Sequence, residues 1–166
     1  MAEVLNVLEK TANSAEAGDD PDFELINEVM HYMTIYPDAV HHPKEDIVYA
    51  ELRANRPDLA DGLDDVPEDH WQIAALGTRL RDDVEAIVAG AAVRREHLVT
   101  DLQQYVDRLR KHMHWEEQDL FPRVDKMLTE DSHEFDVGQF MQIKDPVFEL
   151  EVEGAFRRLM ASLKDA

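Results

Sequence analysis

Two pairs of side chains in this chain have the types and the spacing to hold a metal ion: His41 with Glu45, and His112 with Glu116. Four residues separate the members of each pair, so on a helix they stand one above the other on a single face. Both pairs fall where the hydrophobic rhythm calls for aliphatic residues. His41 and Glu45 interrupt the run Ile26, Met30, Met33, Val48, Leu52, and His112 and Glu116 interrupt Leu98, Leu102, Tyr105, Leu109, Leu120. A buried carboxylate without a partner costs several kcal/mol, so two of them need a compensating positive charge. A multiply charged cation supplies it. Imidazole and carboxylate without sulfur favour iron, manganese or zinc. Carboxylates from facing helices can each bridge a pair of ions.

A third helical segment adds His70, seven residues before Gly77 on the same face. A single His-x-x-x-Glu pair is common on exposed helix faces and would carry little. Two pairs in register with apolar stripes, with a third helix offering imidazole, shift the balance to a metal site. The other histidines read differently. His42 points about 100° away from His41 and reads as an outer-sphere or surface group with Asp46 as partner. His114, His31, His97 and His133 read as exposed. Glu117 competes with Glu116, because a five-residue spacing also reaches a shared ion. Trp71, Trp115 and Phe121 read as packing residues. Tyr49 and Tyr105 could bring a hydroxyl to the site, with core packing the simpler reading for both.

Helices must position these groups. Periodicity near 3.6 dominates and no segment shows sustained alternation. A short helix covers residues 1–16, and Asp-Asp-Pro marks the next start. A second helix runs from about Asp22 to Arg53, with a kink or brief break expected at Pro37 and Pro43. After a connector, a third spans about Pro67 to Ala89 with Asp65 near its cap. The fourth and longest runs from about Ala92 to Leu128. The tail reads as a fifth helical element broken near Asp145 and Pro146. The expectation is all-α: an antiparallel up-down four-helix bundle over 1–130 with a shortened first helix, and a C-terminal helical extension over 131–166 packed on it.

Composition removes alternatives. The 166 residues suffice for one domain with a core. A net charge of −20 repels phosphate backbones and anionic lipid, so nucleic acid and membrane are poor partners. The absence of cysteine excludes disulfides, thiolate chemistry and iron–sulfur clusters. Neither a membrane-spanning run nor a signal peptide is visible, which makes a cytoplasmic location the default.

VHHPKEDIVYAEL, EDHWQI and LRKHMHWEEQDLFP resemble, in order, the second-, third- and fourth-helix motifs of the hemerythrin-like HHE cation-binding family. The resemblance covers about residues 2 to 128, and KDPVF in the tail is similar to bacterial members. It implies a four-helix bundle around an oxo- or hydroxo-bridged di-iron centre, with His41, Glu45, His70, His112 and Glu116 as ligands and the two glutamates bridging. Zinc or manganese would suit the same donors. Two departures stand out. Ala74 replaces a second helix-three histidine found in oxygen-carrying hemerythrins, which leaves a position open to a small ligand. AEVLNVLEK matches the run after the family's first-helix histidine, which would then lie three residues upstream of Met1. A start assigned late, a truncation or an impaired site is the expectation. The implied function is reversible binding, sensing or storage of dioxygen or a related diatomic. An enzyme acting on peroxide, nitric oxide or ferrous iron ranks below it, because no dedicated general acid or nucleophile stands out. A metal-depleted helical interaction domain is the third reading. Phe140, Phe148 and Phe156 could make the tail a homodimer contact or a cap on the bundle.

Overall fold

The computed structural model describes residues 1–130 and 157–164. We label its α-helices α1 (Ala2–Glu16), α2 (Phe23–Tyr36), α3 (His42–Asn55), α4 (Val66–Val88), α5 (Arg95–Trp115), α6 (Phe121–Glu130) and α7 (Arg157–Lys164). Among the described residues there is no strand. Among these residues no helix is long and apolar enough to cross a membrane.

α2 and α3 form one continuous helical rod, joined by a π-helical turn over Pro37–His41, and α5 and α6 form another, joined by a π-helical turn over Glu116–Leu120. The break expected at the prolines is therefore a widened turn instead. Its cause is legible in both rods. Each π turn ends two residues before a proline, Pro43 or Pro122. A proline inside a helix donates no backbone hydrogen bond and its ring presses on the carbonyl four residues back. Those carbonyls belong to Ala39 and Gln118, each inside its π turn. Lengthening the bonds relieves the pressure: the His42 N–H reaches the Pro37 carbonyl, and the Phe121 N–H reaches that of Glu116.

The two rods, α1 and α4 enclose the core. α1 packs on α5 and α2, α2 on α4, and α4 on α5, so the four surround a common axis. Short connections between them make neighbours antiparallel. Gly18 and Gly90, with φ of +101° and +93°, allow the abrupt reversals after α1 and α4. Asp22 caps α2 by accepting from the Leu25 N–H at 3.0 Å. Asp65 occupies the corresponding place before α4 but makes no side-chain cap bond. Pro67 and the acidic Glu68 and Asp69 in the first turn favour that start instead.

The core divides in two. One cluster holds Leu5, Leu8, Met30, Met33, Ile73, Leu102, Tyr105 and Leu109; the other holds Tyr49, Leu52, Leu63, Val66, Leu120 and Met127. Along each long helix the histidines and glutamates lie between them: His41 and Glu45 between Met33 and Tyr49, His70 between Val66 and Ile73, His112 and Glu116 between Leu109 and Leu120. The polar cluster is thus closed above and below by apolar packing. α7 lies against α1 and α2, with Leu159 buried, its N–H donating to Glu28 at 2.9 Å, and Arg158 paired with Asp22 at 2.9 Å. The rest of the expected tail, with Phe140, Phe148, Phe156 and the Asp145–Pro146 break, lies outside the described residues, as does His133.

The reading of Trp71 and Phe121 as packing residues does not hold: they are 66% and 47% exposed. Trp71 falls off the inward stripe of Val66, Ile73, Gly77, Leu80 and Val84. Trp115 does pack against the second cluster. Gly77 marks a close helix contact, since a Cβ there would stand 3.0 Å from the Tyr105 ring and 3.4 Å from the Thr34 methyl. Gly77→Val should therefore cost about 1–3 kcal/mol through overpacking. Urea unfolding of the variant checks this, and unchanged stability would show that α4 and α5 have room to separate.

Candidate metal centre

All five candidate residues converge between the two apolar clusters. His41 Nε2 lies 2.8 Å from Glu45 Oε1 and 4.0 Å from Glu116 Oε2. His112 Nε2 lies 3.1 Å from Glu116 Oε1, and His70 Nε2 lies 3.4 Å from Glu45 Oε2. His70 and His112 turn their Nε2 atoms toward each other at 3.1 Å. Donor atoms of Glu45, His70, His112 and Glu116 all fall within 4.8 Å of one another. Three helical rods thus aim imidazole and carboxylate at one small volume. Glu45, His112 and Glu116 are buried; His41 and His70 are partly so.

The donor set fits a cation on a specific observation. Both Glu45 oxygens and His41 Nε2 are buried and make no hydrogen bond, although His41 and Glu45 are close enough to pair. Leaving such atoms unsatisfied costs about 1–3 kcal/mol each. A cation among them would satisfy all three.

Electrostatics shows what stands in for that charge in the metal-free protein. Burial, then the closeness and charge of Glu116, push the Glu45 carboxyl up to about 10, so it holds a proton at neutral pH. For Glu116 burial acts upward too, but its contacts with His112 and Glu45 and the charge of His112 outweigh it. Its carboxyl falls to about 2. Burial works against a charged His112, yet the bond to Glu116 and the charges of Glu116 and Asp69 raise it above its ordinary value. Burial lowers His41, and burial with the neighbouring His42 and His112 lowers His70 to about 3. His41 and His70 are therefore neutral and ready to donate, Glu45 holds a proton, and His112 is held above the ordinary imidazole value.

Neighbouring groups surround this set. His42 stacks on His70 with ring centroids 3.9 Å apart, which fits the outer-sphere half of its expected role. Asp46 is exposed. Glu117 is exposed and Glu116 buried, so the geometry favours Glu116 over its competitor. His97 and His114 are exposed, and His31 pairs with Glu85 at 3.0 Å on the surface. Tyr49 does more than pack: its hydroxyl donates to Glu116 Oε1 at 3.2 Å, and burial with the nearby carboxylates raises its pKa, which keeps it a donor. Tyr105 is fully buried against Gly77. Asp69 is the residue that reading the sequence missed. Its Oδ2 lies 2.8 Å from His112 Nδ1, and its Oδ1 accepts from Arg108. The available signal was its place beside His70 and the four-residue step from Arg108 to His112.

Ala74, where a second helix-three histidine was expected to be absent, borders a cavity of about 20 Å³ with His42, Ile73, Gly77 and Tyr105. That space admits a molecule the size of water.

Such a bundle, with histidines and glutamates from both rods and α4 gathered between apolar layers, is a helical protein with a side-chain cluster that could hold a metal ion. The chain is matched over residues 1–124, and again over 61–165, by the hemerythrin HHE cation binding domain. It belongs to that family. The stretch bearing His70, His112 and Glu116 lies within both matches. No curated protein and no solved structure matches it. Family and side-chain cluster together suggest metal binding.

Ligation requires unprotonated donors, so a bound cation must displace the proton on Glu45. Metal binding near neutral pH should release protons, and affinity should weaken as pH falls. Calorimetry in buffers of different ionisation enthalpy measures this. Binding without proton release would show that Glu45 is not a ligand.

Proposed function

We propose that the protein is a non-haem di-iron protein that binds dioxygen or a related diatomic reversibly, for sensing or storage. The observation that carries this reading is the buried, unsatisfied donor set of His41 and Glu45 facing His70, His112 and Glu116. In it His41, His70, His112, Glu45 and Glu116 would hold the irons. Iron supplies open coordination positions and the electrons that a diatomic ligand draws on. The chain's own part is to orient, exclude and satisfy. Apolar layers on both sides keep bulk water from the carboxylates, which strengthens their attraction for a cation. The Tyr49 hydroxyl occupies one lone pair of Glu116 and fixes how its carboxylate is turned. Ala74 takes less space than a second imidazole would, and it borders the cavity of about 20 Å³ beside His42. α1 contributes Val4, Leu5 and Leu8 to the core and no donor to the set. Five donor residues are fewer than two ions would fully use, so iron content below two per chain is expected.

Reduction of peroxide or nitric oxide, or oxidation of ferrous iron, would use the same donors and is the second reading. Aerobic iron loading should produce near-ultraviolet and visible absorption that azide shifts, and His112→Ala should abolish it. Steady turnover of peroxide or nitric oxide, lost in His112→Ala, would replace the binding reading with an enzymatic one. A colourless protein after loading would contradict both.

A further inference from the structure

The structure assigns to Asp69 the role of a positioning residue that, together with Arg108, locks the His112 ring with its Nε2 aimed into the metal centre. This rests on the reading of His112 as a ligand. Asp69 stands in the first turn of α4, immediately before His70, while Arg108 and His112 stand one helical turn apart on α5. The two oxygens of one carboxylate divide between them. Oδ1 accepts from the Arg108 guanidinium, and Oδ2 lies 2.8 Å from His112 Nδ1. Nδ1–H donated to a carboxylate fixes both the tautomer and the plane of the ring, leaving the Nε2 lone pair for an ion. Nε2 indeed points inward, 3.1 Å from Glu116 and from His70 Nε2.

The surroundings show why the ring needs holding. Behind His112, an open cleft of about 380 Å³ is lined by Gly62, Glu68, Asp69, Arg108 and Trp115. Among the described residues, Asp69 alone meets Nδ1 from that side. Without it that edge of the imidazole faces exchanging water, and the ring can turn away from the centre. Arg108 in turn keeps Asp69 from swinging into the cleft, because its guanidinium holds the other oxygen. α4 therefore supplies a candidate ligand, His70, and the brace for a ligand on α5 from consecutive residues.

Cobalt(II) titration of the whole chain, following both affinity and the visible ligand-field spectrum, tests this alongside thermal melting of the metal-free protein. Asp69→Ala should weaken cobalt binding by roughly 10–100-fold and alter the spectrum. Asp69→Asn, whose carbonyl still accepts from Nδ1–H, should recover most of the affinity and the wild-type spectrum. Glu68→Ala removes the same charge from the same turn, from a side chain that bonds Gln72 instead, and should leave both unchanged. If Asp69→Ala lowers the melting temperature yet binds cobalt as tightly and with the same spectrum as wild type, Asp69 only ties α4 to α5 and the inference is overturned. Equal losses in Asp69→Ala and Glu68→Ala would also overturn it, since charge alone would then explain the effect. Failure of the wild-type chain to bind cobalt would instead overturn the ligand reading of His112 itself.

Discussion

Burying Glu45 and Glu116 within a few ångströms of each other is the constraint on which the rest of this protein turns. Two ionised carboxylates at that distance in a dry interior repel strongly, and neither has enough hydrogen-bond donors to balance its lost hydration. The metal-free chain copes by keeping a proton on Glu45, so that the two carboxyls carry one negative charge between them, and that charge raises the neighbouring His112 above its ordinary value. That is an arrangement of tolerated cost rather than of stability. Both Glu45 oxygens remain unsatisfied. A cation among the five side chains would remove the repulsion and the orphaned atoms together, which is why the metal reading explains the polar cluster and an apolar-core reading does not.

The fold is shaped to make this cluster possible. Apolar packing on each side keeps the helices at fixed spacing, and the polar layer sits where the two clusters leave off. Close approach of α4 to α5 at Gly77 and Tyr105 brings His70 and His112 within reach of each other. The π turns fall at the candidate ligands themselves, ending at His41 in one rod and beginning at Glu116 in the other. A widened turn rotates the helix after it relative to the helix before it, so each rod can aim a histidine and a glutamate at the centre without giving up its apolar stripe. The prolines that open these turns are thus part of how the site is built.

Much of this was legible in the sequence, and for identifiable reasons. The interruption of two apolar stripes by His-x-x-x-Glu is a one-dimensional signal, because helical periodicity alone puts those residues on the buried face. Helix starts followed from the Asp-Asp-Pro before α2 and from Pro67. The π turns were not legible, since a proline in a long helix predicts a disturbance without saying whether the chain will bend, break or widen. Nor was Asp69. Its contact to His112 joins residues 43 positions apart, and no local rule favours it over Glu68 or Asp65. Trp71 and Phe121 misled in the opposite direction: large aromatic side chains suggest packing, but both fall off the inward stripe and face solvent.

The central claim is that the charge missing between Glu45 and Glu116 is that of bound metal. Anomalous diffraction from crystals of the iron-loaded chain, collected on both sides of the iron absorption edge, tests it most directly. Iron density lying between the two glutamates, within coordinating distance of both and of His112, is the result this account predicts. Crystals that take up iron only at surface carboxylates, with the Glu45 and Glu116 side chains unmoved and no density between them, would contradict it.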